Sequence, residues 1–156
     1  ENGNVPQNLE QEEMAGLYNP ETYTKFAENS LKVVSDLKNA IKKYKDLDYY
    51  IVGYGAAAKG MTLLNYTQVK LDCIIDDNPL KQGLYCPGTN IPVVSIDWLK
   101  QVNDERERIV FVPLAWNFYN EIKGKVLAVR NNSEDVFLKY FPVITSDVHP
   151  ENQFLV

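Results

Sequence analysis

Between Pro20 and Asp46 a row of apolar residues recurs at Tyr23, Phe26, Val34, Leu37, Ile41 and Tyr44, with Ser30 completing it. Steps of three and four residues place them on one stripe of an α-helix, with lysines and aspartates opposite. Asn19 suits the N-cap, Pro20 the first helical position, and Glu21 complements the helix dipole. Such a helix is expected to lie against a sheet. From Tyr49 the pattern changes to short apolar runs: "YYIVG", "KLDCIID", "RIVFVPLA" and "DVFLKYF" read as strands. Between them "AAAKGMTLLNYT", "SIDWLKQV" (with Ser95 as its cap) and "NFYNEIKGKVLAVR" read as helices. The alternation predicts an α/β fold: a small Rossmann-like three-layer domain with a mainly parallel sheet, preceded by the long amphipathic helix. Glu1–Leu17 is polar and without a period, which predicts a flexible lead-in over residues 1–18 and a single domain over 19–156.

Composition narrows the function. A net charge of -5 argues against a nucleic-acid partner, which demands a basic face. No apolar run reaches the roughly 20 residues of a membrane span, and no signal-peptide pattern opens the chain. Cys73 and Cys86 lack metal or redox spacing and read as plain reduced thiols, as expected of a cytoplasmic protein.

The stretch "IVGYGAAAKGMT" stands between two phosphate-binding signatures. Gly55, Gly60 and Thr62 match a P-loop, but Met61 occupies the lysine position and cannot neutralise phosphate charge; a nucleotide triphosphatase is excluded. Gly53, Gly55 and Ala58 give G-x-G-x-x-A between a strand and a helix. Here Gly53 is expected to permit the turn and Gly55 the approach of an anion. The backbone of Ala56, Ala57 and Gly60 and the amides of the helix would then face that anion. Asp76 stands where a ribose acceptor belongs, and Lys59 adds charge. The simpler alternative is glycines needed only for strand–helix packing.

Three unusual segments follow three strands, and in a parallel sheet these ends share one edge. Lys59 and Lys81 offer cations, Asn78, Gln82 and Asn117 amides, and Tyr85 and Trp116 flat surfaces. Asn117 serves equally well as a helix cap, Trp116 as core, and Asp76 and Asp77 as a solvated strand end. No nucleophile–base arrangement or metal cluster is apparent, and the single histidine, His149, lies in the carboxyl-terminal tail. The chain reads as a binder without catalytic residues.

"GYGAAAKGMTLLNY", "IDDNPLKQGLYCPGTNIPV" and "PLAWNFYNEI" together resemble the carboxyl-terminal domain of S-adenosylmethionine-dependent sugar C-methyltransferases of deoxysugar biosynthesis, from about Asn19 to Val143. The resemblance implies a domain that helps bind a nucleotide-diphosphate sugar, while S-adenosylmethionine and the catalytic base belong to a companion methyltransferase domain. It implies phosphate contacts at Gly53, Gly55, Lys59 and Lys81, and base or sugar contacts at Asn78, Tyr85 and Trp116. The start at Glu1 rather than Met agrees with a domain cut from such an enzyme. This chain departs from the family at Met61, Asp77, Leu84 and Asn90, where Asn, a basic residue, Arg and His are usual. Two rivals remain: an NAD- or nucleotide-sugar-binding domain of another sugar-modifying enzyme, and a non-enzymatic interaction module.

Overall fold

A computed structural model describes residues 5–102 and 107–148; His149 lies outside them. The chain begins with α1 (Val5–Met14) and α2 (Pro20–Asp46), and continues through β1 (Tyr50–Tyr54), α3 (Ala58–Thr67), β2 (Cys73–Ile75) and β3 (Val93–Val94). Then come α4 (Trp98–Gln101), β4 (Ile109–Pro113), a 3-10 turn (Trp116–Phe118), α5 (Tyr119–Val129), β5 (Val136–Lys139) and β6 (Thr145–Val148). The sheet has six strands in the order β3-β2-β1-β4-β5-β6, all parallel except the β5–β6 pair. The expected α/β class and mainly parallel sheet are what the molecule adopts.

Strand periodicity divides the core into two layers. Ile51, Val110, Val112, Val136 and Leu138 face α2 and α3, where Leu37, Ile41 and Leu64 meet them. Val52, Tyr54, Ile109, Phe111 and Phe137 face the other way, onto Leu99 of α4 and Ile122 and Val126 of α5. Phe111 stacks on Phe137 with ring centroids 5.0 Å apart. Strands buried on both faces must be apolar throughout, which is why β1 and β4 carry continuous apolar runs.

Three expectations need correction. Val5–Met14 is an α-helix, although none of its residues is buried; a segment polar all round gives no periodic signal even when helical. β6 was missed because "TSDV" is a short polar edge strand, paired antiparallel through Phe137 with Asp147. Ser95 does not cap α4 through its side chain: Asp97 holds the N-cap position, and Ser95 accepts from the Trp98 N–H through its carbonyl at 3.1 Å.

The long helix bears out its cap, since the Asn19 side chain accepts from the Glu21 N–H at 2.9 Å. Its stripe behaves in two ways. Leu37 and Ile41 are buried against the sheet, whereas Phe26 is 70% exposed and Tyr23 and Leu31 are also open. Only the second half of α2 lies on the sheet as expected.

Candidate functional site

β1 is flanked by β2 on one side and β4 on the other, and the connections that leave β1 into α3 and β4 into α5 diverge to opposite faces of the sheet. This switch point at the carboxyl edge is where open α/β sheets hold ligands. The loop after β1 turns at Gly55, whose φ of +95° lies in the left-handed region. A Cβ on Gly55 would stand 3.3 Å from that of Ala115, so the loops after β1 and β4 touch. Gly53 does not make the turn: it sits within β1, where a Cβ would come within 2.9 Å of Leu71 Cδ1. Gly60 is likewise a packing glycine, its Cβ position 2.8 Å from that of Leu114.

The loop after β2 is drawn in by Asp76. This carboxylate is 7% exposed. Its Oδ2 accepts from the Ala56 N–H at 2.7 Å and from Lys81 Nζ at 3.1 Å, and its Oδ1 accepts from the Asn78 N–H at 2.9 Å. Lys81 Nζ also donates to the Ala56 carbonyl at 2.8 Å. Gln82 Nε2 donates to the Asp76 carbonyl at 2.9 Å, and Asn78 Oδ1 accepts from the Leu80 N–H. Asp76 is thus neither a solvated strand end nor an open ribose acceptor. It fastens two loops together, and a dinucleotide ribose would have to displace those bonds. The Gly55 and Ala57 amides are also engaged, by the Ile75 and Gly55 carbonyls.

What the edge leaves open is the start of α3. Ala57 holds its N-cap without a side-chain bond, and among the described residues the Ala58, Lys59 and Gly60 N–H groups have no hydrogen-bond partner. Three convergent amides at a helix start carry partial positive charge. Lys59 stands above Trp116, its Nζ 5.9 Å from the ring centroid, and Trp116 packs against Phe141 in a tilted ring contact with centroids 4.6 Å apart. Tyr140 fixes the exit of β4 by donating to the Leu114 carbonyl at 2.9 Å; burial pushes its hydroxyl up to about 12, so it stays a donor. Gly55, Lys81, Lys59 and Trp116 therefore share one rim. Tyr85 is exposed on the β2 side, and Asn117 projects from the 3-10 turn rather than capping α5.

Sequence reasoning overlooked a polar strut beneath this rim. Tyr54 donates to Asp77 Oδ1 at 2.6 Å, and Lys125 of α5 reaches Asp77 Oδ2 at 2.9 Å and Glu121 at 2.9 Å. The Tyr54 hydrogen bond holds the Asp77 carboxyl below its usual range, with Lys125 adding to the effect and partial burial opposing it. The missed signal was phase: Tyr54 alternates with Gly53, so it points to the α5 side. Both cysteines are free and buried, and burial pushes Cys73 up to about 12, which leaves an inert thiol. Among the described residues no group of acidic, histidine or cysteine side chains could hold a metal, and no helix is long and apolar enough to cross a membrane.

Comparison with protein families matches residues 1–142 to the model described as the C-methyltransferase C-terminal domain. No curated protein matches the chain.

Proposed function

Because this chain belongs to the C-methyltransferase C-terminal domain family, we propose that it binds a nucleotide-diphosphate sugar and orients the sugar for methyl transfer catalysed by a companion domain. The observation that carries this reading is the open start of α3 at the sheet's switch point, where three amides have no hydrogen-bond partner among the described residues and the same turn carries Lys59, whose ammonium lies over the Trp116 ring. Amides at a helix start and a cation together suit a diphosphate. Aromatic surface at Trp116 lies alongside for the less charged parts of the ligand.

In this proposal the companion domain carries S-adenosylmethionine and the base. The base takes a proton from the carbon next to the sugar carbonyl. The resulting enolate forms a carbon–carbon bond to the donor methyl, and the carbon–sulfur electron pair returns to sulfur. This domain contributes position, by fixing the nucleotide handle so that the reacting carbon meets the methyl group. The interaction-module reading is favoured by one observation, the uncovered apolar first half of α2. That face is compatible with both roles, since its cleft with α3 reaches Lys59 and Trp116.

Calorimetric titration with nucleotide-sugars tests the proposal. Lys59→Ala is expected to weaken binding about fivefold or more while leaving thermal stability unchanged. Lys81→Ala is expected to lower stability as well, by about 1 kcal/mol, because its ammonium joins two loops. A fully folded protein with no affinity for any nucleotide-sugar would overturn the reading.

A further inference from the structure

β6 joins the sheet on different terms from the five parallel strands. Thr145, Ser146 and Asp147 are all exposed, whereas Val136, Phe137 and Leu138 of the neighbouring β5 are buried. The strand pairs antiparallel with β5 over four residue pairs, from Val136 with Val148 to Lys139 with Thr145. The family match ends at residue 142, so the five parallel strands fall within it and β6 outside it. With Thr145 to Asp147 open to water, burial of their side chains does not hold the strand. What holds it is the backbone ladder and the contacts of Asp147. The Asp147 Oδ2 accepts from the Tyr119 hydroxyl at 2.9 Å and from Lys123 Nζ at 3.0 Å. Lys123 Nζ lies 5.4 Å from the Phe137 ring centroid, and Lys139 Nζ 5.8 Å from that of Tyr119, so two ammonium groups frame the carboxylate. Partial burial pushes its pKa up, but the bonds from Lys123 and Tyr119 and the charge of Lys139 outweigh this and leave the carboxyl below its usual range.

We infer that β6 is a releasable strap, an edge strand that opens and recloses while the five parallel strands stay folded, with Asp147 as its latch. Segments with little buried apolar surface open at a lower free-energy cost than the core strands they lie on. Through Asp147 the strap also grips a second element, because Tyr119 is the first residue of α5 and directly follows the 3-10 turn that carries Trp116. Release leaves the Tyr119 hydroxyl with its longer bond to the Phe137 carbonyl, at 3.4 Å. It also bares the edge of β5, whose ladder groups are then free to pair with another extended segment. The latch is set by charge as well as by shape. The Asp147 side chain is 48% exposed and that of Lys123 32%, so dissolved salt reaches the pair and weakens it.

Hydrogen exchange of the full chain at neutral pH, read residue by residue by NMR, tests the strap. The protected amides of the β5–β6 ladder are expected to exchange about a hundredfold faster than those of β1 and β4. Asp147→Ala is expected to speed the ladder amides about tenfold further and to leave β1 and β4 unchanged. Asp147→Asn keeps an acceptor for Tyr119 and loses only the charge, so its increase is expected to be smaller, about threefold. Raising salt from about 0.05 to about 1 M is expected to speed the ladder amides of wild type about twofold and those of Asp147→Asn not at all. Ladder amides as slow as those of β1, or rates there that neither Asp147→Ala nor salt alters, overturn the strap. Acceleration of β1 and β4 by the same factor as the ladder overturns it too, since β6 then opens only with the whole sheet.

Discussion

Asp77 shows how one residue's chemistry depends on neighbours that are distant in sequence. Tyr54 and Lys125 lie 23 and 48 positions away, and together they hold its carboxyl below the usual range. A depressed folded value means that the unfolded chain takes up the proton first as pH falls. The stabilisation is therefore fully present above about pH 4 and disappears as pH drops through the folded value. Wild type is expected to exceed Asp77→Asn in thermal midpoint at neutral pH, with the two converging in acid; a pH series of melting curves checks this. Glycines give a second contrast. Gly124 lies in α5 with nothing within 4 Å of an added Cβ, so Gly124→Ala is expected to stabilise by about 0.5–1 kcal/mol. Gly55→Ala forces a left-handed φ on a side chain beside Ala115 and is expected to cost about 1–2 kcal/mol or more. Urea denaturation measures both. Gly53 and Gly55 were visible in the sequence as a pair, but which one turns the chain was not. That depends on Leu71, Ile74 and Leu114, which meet Gly53 only after folding.

At the level of elements, legibility followed burial. β1 and β4 announced themselves because both faces are covered and every position must be apolar. The pairing of β3 and the whole of β6 gave no comparable signal: β3 is two residues long, and β6 is a polar edge strand. In α2 a uniform stripe concealed two environments. Periodicity shows that residues share a face and says nothing of what covers it. Leu37→Ala is expected to cost about 2–5 kcal/mol, since Leu37 is 1% exposed. Phe26→Ser, on the same stripe, is expected to change stability by no more than about 0.5 kcal/mol. Equal losses in urea denaturation would show that the first half of α2 is as firmly packed as the second.

Across the whole molecule, the convergence of three loops was legible because a parallel sheet gathers its strand ends at one edge. The division of labour within that edge was not. Asp76 was expected to meet a ribose and instead draws Ala56, Asn78 and Lys81 together. Side-chain type told which groups could bind a ligand, and only the folded arrangement told which were already engaged. The central claim is that a nucleotide-sugar lies across the β1 and β4 loops. Amide chemical-shift mapping during titration with UDP-glucose tests it most directly. The largest shifts are predicted at Gly55, at Ala58 to Gly60 and at Asn117 to Asn120. Shifts confined to the opposite end of the sheet, near Asp72 and Asp135, or none at saturating ligand, would contradict it.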